Sequence, residues 1–194
     1  NLEEFTKLIK YSSNERSELR SSRQARTINP KVFGLKLFLN QTTGNFIINK
    51  ESLFAIYNAW PAFAKASAGK FGSPILVHAE DDVIDLVIDV CRKTKKKTHV
   101  CHVSSREELQ KIIRAKKKGL PITCGVTPHH LFLKEKDVKR LGPFGLMKPP
   151  VYDGFSEFAW KNLKYIDCIE SDHAPHTVEE KNSETPPFGI PNLE

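Results

Sequence analysis

Five short apolar runs, each followed by a stretch of helical character, organise residues 34–173 and leave few folds open. The runs are Gly34–Leu39, Pro74–Glu80, Lys97–Ser104, Ile122–Pro128 and Tyr165–His173. Helical stretches are predicted near Ser52–Phe63, Asp82–Thr94, Arg106–Lys118 and Phe155–Leu163. Ser105-Arg-Glu-Glu has the pattern of a helix start and Gly119-Leu-Pro that of a stop. Strands that are apolar on both faces and alternate with helices indicate a parallel sheet. No G-x-G-x-x-G follows any run, which argues against a dinucleotide-binding sheet. The polar residues gather at the carboxyl ends of the runs: His78 and Glu80, His102, Thr127 to His130, Asp172 and His173. That edge carries the chemistry in parallel α/β folds. Five strand–helix units fall short of a closed eight-stranded barrel, which needs about 250 residues. The expected fold is therefore α/β, a partial TIM (β/α)8 barrel.

The barrel domain is expected to cover residues 34–194, with 1–33 as a separate N-terminal segment. Within it, Asn1–Lys10 has a helical pattern, and Tyr11–Pro30, rich in Ser, Arg, Asn and Glu, reads as loop or disordered. Ala64–Ser73 is low in complexity and reads as a loop. The chain opens on Asn1 rather than Met, so further sequence is expected upstream. No apolar run is long enough to span a bilayer and no secretory signal is evident, which excludes a membrane function and favours a cytoplasmic setting.

The net charge of +7 raises the question of nucleic acid. The densest basic groups, Lys93 with Lys95 to Lys97 and Lys116 to Lys118, lie at predicted helix ends, where cations suit the dipole. No aromatic residues interleave with them to stack on bases, so they read as a solvated face that could attract an anionic substrate. Cys91, Cys101, Cys124 and Cys168 show no C-x-x-C spacing and read as reduced thiols.

Four residues could carry metal chemistry. Lys36, inside Gly-Leu-Lys-Leu-Phe-Leu, would be costly to bury as a cation; burial lowers an amine's pKa, and a neutral amine can capture carbon dioxide as a carbamate. The plain alternative is an edge lysine reaching into water. His78 and His102 end consecutive runs, and neutral imidazole is the commonest zinc ligand, although either could be structural alone. Ser171-Asp172-His173-Ala-Pro-His176 places an acid and two imidazoles on one turn, where Asp172 could cap a helix or hold a proton beside a metal.

Gly34-Leu-Lys-Leu-Phe-Leu-Asn40, Leu76-Val-His-Ala-Glu80, His99-Val-Cys-His-Val103, Val126-Thr-Pro-His-His-Leu131, Met147-Lys-Pro-Pro150 and the run from Ile166 to Thr177 resemble the class I dihydroorotases of the amidohydrolase superfamily. The resemblance covers about residues 34–194 and implies barrel strands 4–8, with strands 1–3 missing. It implies reversible cyclisation of N-carbamoyl-L-aspartate to L-dihydroorotate by a binuclear zinc hydroxide, in pyrimidine biosynthesis. Lys36 matches the carboxylated bridging lysine, His78 and His102 the ligands of the second zinc, and Asp172 the ligand of the first zinc that also shuttles the proton. His176, Phe188 and Gly189 match substrate-binding positions. Asn40 to Gly44 resembles a mobile loop, with Asn40 at the substrate and Thr42 as its catalytic hydroxyl.

The His-x-His pair of strand 1 is absent, so this chain alone is expected to be inactive. Cys101 matches the cysteine of a third zinc found in some animal-type members, but Gly125 stands where that site's glutamate would be; two zinc ions are therefore expected. The implied partners are the small-molecule substrate and a second copy or aspartate transcarbamoylase. The alternatives are another cyclic-amide hydrolase, of the dihydropyrimidinase or allantoinase kind, or a non-catalytic scaffold.

Overall fold

The computed structural model describes residues 34–40, 48–60 and 74–192. The expectations for residues 1–33, for Ala64–Ser73 and for Thr42 and most of its loop lie outside the described residues. Five parallel strands form one sheet in chain order: β1 Leu35–Phe38, β2 Ile75–His78, β3 Thr98–Val100, β4 Ile122–Val126 and β5 Cys168–Ile169. The longer helices are α1 Lys50–Ala59, α2 Val83–Thr94 and α3 Arg106–Lys117. Strand order that follows chain order is what repeated strand–helix units give when every crossover turns the same way.

The register aligns Leu37, Val77, Val100 and Cys124 on one face, and all four are buried. Against them pack Ile84, Val87 and Val90 of α2 and Leu109, Ile112 and Ile113 of α3, which recur at helical spacing. Lys36, Leu76, His99 and Thr123 share the opposite face; Lys36 and Thr123 are exposed, Leu76 and His99 half-buried. The expectation of strands buried on both faces is thus corrected: burial alternates along these strands, with one apolar face under the helices.

Local chemistry sets the helix ends. Ser105 and Glu108 close a reciprocal capping box at the start of α3, as the sequence indicated. Lys95, in the left-handed region at φ 55°, ends α2. Three short helices arise in segments without a helical assignment from sequence: α4 Pro128–Phe132, α5 Glu135–Leu141 and α7 Val178–Lys181; Phe155–Lys161 forms α6. Thr127 caps α4 through its side chain, with Pro128 in the first turn. The five strands are shorter than the apolar runs, because the last residues of each run leave the ladder and turn toward the carboxyl edge of the sheet.

Candidate metal and substrate site

Three of the four residues singled out for metal chemistry project from the carboxyl edge. His78 is the last residue of β2, His102 lies two residues past β3, and Asp172 three past β5. His102 and Asp172 hold positive φ, 38° and 45°, which non-glycine residues rarely adopt. Such strain at a strand end re-aims a side chain and is common at functional sites.

His78 Nδ1 lies 3.1 Å from His102 Nε2, with both residues buried. Two nitrogens on one tetrahedral zinc, each about 2.0–2.1 Å from it, sit roughly 3.3 Å apart, so this spacing suits a shared ion. On its other side, His78 Nε2 donates to Glu80 Oε1 at 2.8 Å. That bond fixes the tautomer and leaves Nδ1 as a bare lone pair directed at His102. Carboxylates that orient ligand histidines in this way are a regular part of metal sites. Burial, with help from His78 and Lys36, pushes the His102 imidazole down to about 2, so it stays neutral and able to coordinate.

Lys36 does not have the buried setting inferred from its strand: it is exposed, with Nζ 5.3 Å from the centre of the Phe38 ring. Its case now rests on position, since its charge acts on His102, Cys101 and Asp172. Desolvation raises the Asp172 carboxyl above its ordinary value, while Lys36 and His78 pull it back. The four residues therefore occupy one electrostatic neighbourhood. Of the four, His78 and His102 stand at the spacing of two ligands on one ion, and no His-x-His exists in the sequence to complete a second.

Asn40 Oδ1 accepts from the Glu80 amide at 2.8 Å, which ties the end of β1 to the histidine pair. His176 Nε2 donates to the Phe188 carbonyl at 3.1 Å, and its Nδ1 lies 3.4 Å from Glu180. Gly189, at φ 132°, donates to the Leu146 carbonyl at 2.9 Å; a Cβ there would fall 2.7 Å from the Ala174 carbonyl oxygen. Only glycine lets the two loops close so tightly. His176, Phe188 and Gly189 are thus brought together as one unit, while Thr42 lies outside the described residues.

Glu80 was not among the residues assigned a role from sequence, although its spacing from His78 across a strand end carried a signal. Glu80→Gln should weaken zinc binding by roughly 10–100-fold without unfolding the chain, because the amide is a poorer acceptor for His78. Metal content after dialysis against a competing chelator measures this, and zinc retention equal to wild type would contradict the role.

No family model matches the chain. The multifunctional protein CAD of Squalus acanthias is 40% identical over 170 residues, 86% of this chain and 7% of that protein. A dihydroorotase of Pyrococcus horikoshii is 32% identical over 165 residues, 82% of this chain and 38% of that enzyme. The chain thus spans well under half the length of these relatives. Among solved structures, an L-hydantoinase (dihydropyrimidinase) from Arthrobacter aurescens superposes with a TM-score of 0.66 at 22% identity, covering 75% of this chain and 39% of that one. That likeness carries the fold alone, the five-stranded parallel sheet and its helices as part of a larger chain.

Proposed function

We propose, from the premise that this chain belongs to the dihydroorotase family, that its carboxyl edge forms part of an active site that opens and closes the dihydroorotate ring. The observation that carries the reading is the His78–His102 pair, set at ligand spacing and locked into the coordinating tautomer by Glu80. The chemistry that zinc supplies when bound is polarisation of an amide carbonyl and acidification of water. His78 and His102 would hold the metal, together with Asp172 and Lys36 as a carbamate.

Asp172 would hold the proton removed from the attacking water and pass it to the ring nitrogen that leaves. In ring closure the same carboxylate works in reverse. His176, with the backbone at Phe188 and Gly189, would receive the substrate carboxylate, and Asn40 and Thr42 would lie on the loop beside it. The basic balance of the chain suits an anionic substrate. Two zinc ions, a cytoplasmic setting and a second copy or aspartate transcarbamoylase as partner complete the reading. The multifunctional relative supports the partnered assembly, and no described helix is long and apolar enough to cross a membrane.

The test is turnover by the zinc-loaded full-length protein of L-dihydroorotate against uncharged rings such as dihydrouracil and hydantoin. Preference for dihydroorotate is expected; preference for the uncharged rings would transfer the chain to the other cyclic-amide hydrolases. His176→Ala should then keep its zinc but lose about 1.5–3 kcal/mol of substrate binding, the worth of a charge-assisted hydrogen bond. Loss of zinc in that variant would mean that His176 is a ligand instead.

A further inference from the structure

We propose that His99, Cys101 and Glu170 form a separate divalent-cation site, built from imidazole, thiolate and carboxylate, that clips β3 to β5 across β4. Their ligand atoms all lie within 4.8 Å of one another, the one such group of three among the described residues. Cys101 is buried, and His99 and Glu170 are half-buried. The set is nitrogen, sulfur and oxygen, the donors that zinc accepts at about 2.0–2.3 Å. His99 Nε2 and Glu170 Oε1 stand 2.7 Å apart, so a shared ion needs them to part by roughly half an ångström.

Gly125 makes the arrangement possible. It lies on β4 between the two strands, and a Cβ built on it would fall 1.6 Å from Glu170 Oε1. The carboxylate of Glu170 therefore fills the volume that a side chain at position 125 would enter. The sequence has no carboxylate at position 125; Glu170 brings one there from the neighbouring strand.

The remaining contacts suit a ligand histidine. His99 Nδ1 lies 2.8 Å from Thr123 Oγ1, whose hydroxyl reaches on to the Thr98 carbonyl at 3.4 Å. Thr123 can thus accept from Nδ1–H and leave the Nε2 lone pair for a metal. Cys168 Sγ stands at the margin, 3.9 Å from His99 Nε2 and 3.8 Å from Glu170 Oε1. Binding would release the Cys101 thiol proton to solvent. This site shares no residue with the His78–His102 pair and does not depend on the function proposed above.

The test is a Co2+ titration of the metal-stripped full chain, read by absorption. A thiolate ligand gives a sulfur-to-cobalt charge-transfer band that ligation by His78, His102, Lys36 and Asp172 does not. The band is expected in the parent chain, lost in Cys101→Ser and kept in Cys168→Ser. Glu170→Ala should weaken the cobalt affinity read from the band at least tenfold, and Gly125→Glu in that background should restore it by returning the carboxylate from β4. Glu170→Gln, a milder change, serves if Cys101→Ser does not fold. A parent chain without the band, a band that survives Cys101→Ser, or full affinity in both Glu170 variants would overturn the site.

Discussion

Replacing Lys36 by Ala in the full-length protein is expected to lower dihydroorotate turnover about a thousandfold, the cost of losing several kcal/mol of metal-assisted stabilisation. His78 and His102 bring two nitrogens to one ion, and a tetrahedral site needs two further donors. Asp172 lies three residues past β5, and Lys36 stands on the exposed face of β1, the strand that pairs with β2. An ammonium has three donors and no acceptor, so Lys36 can serve only after its amine takes up carbon dioxide. The resulting carbamate has two oxygens, enough to join two ions. Alanine removes both, and a small carboxylic acid supplied in solution should restore part of the rate by placing a carboxylate in the space left behind. Metal content and kcat are measured on the same samples. Unchanged turnover in Lys36→Ala would remove the carbamate from the account, and so would a bare amine in an experimental map of the zinc-loaded protein.

How far the sequence reveals this site depends on which contacts are local. His78, His102 and Asp172 were legible because each ends an apolar run, and the ends of parallel strands meet at one edge. The helices α1, α2 and α3 were legible from apolar spacing and from the Ser105 cap. Lys36 was misjudged: Leu-Lys-Leu-Phe-Leu reads as a run buried on both sides, yet Lys36 and Phe38 face away from the helices, which pack only against Leu37 and its neighbours in register. The short helices α4, α5 and α7 are too brief for periodicity to reveal, since a single turn gains little on its own. The role of Glu170 was invisible for a different reason. It reaches past Gly125 to His99, 71 residues away, and no local pattern records such a contact.

Acidification from pH 7 to pH 4 is expected to destabilise the fold by about 6 kcal/mol through His129 and His130 alone. Burial pushes the His130 imidazole down to about 3, aided by His129, and burial pushes His129 down to about 4. His130 is held between Thr127 Oγ1 at 2.6 Å and the Pro149 carbonyl at 3.1 Å, so Nε2 donates and Nδ1 accepts. A second proton on Nδ1 would force the Thr127 hydroxyl to turn from donor to acceptor and would leave a buried charge. Both folded values lie below the unfolded value of about 6.5, so the unfolded chain binds more protons as the pH falls. The stabilisation is complete above about pH 6.5 and is lost as the pH drops toward the folded values, at about 1.4 kcal/mol per unit for each imidazole. A loss of this size rivals the whole stability of an ordinary domain, about 5–15 kcal/mol. Urea unfolding at a series of pH values measures it. His130→Gln keeps a donor for Pro149 but cannot titrate, so it should lower the slope between pH 6 and 4.5 by up to about 1.4 kcal/mol per unit. Comparing the two chains cancels the carboxylates they share. Equal slopes would show that His130 carries no proton-linked stability.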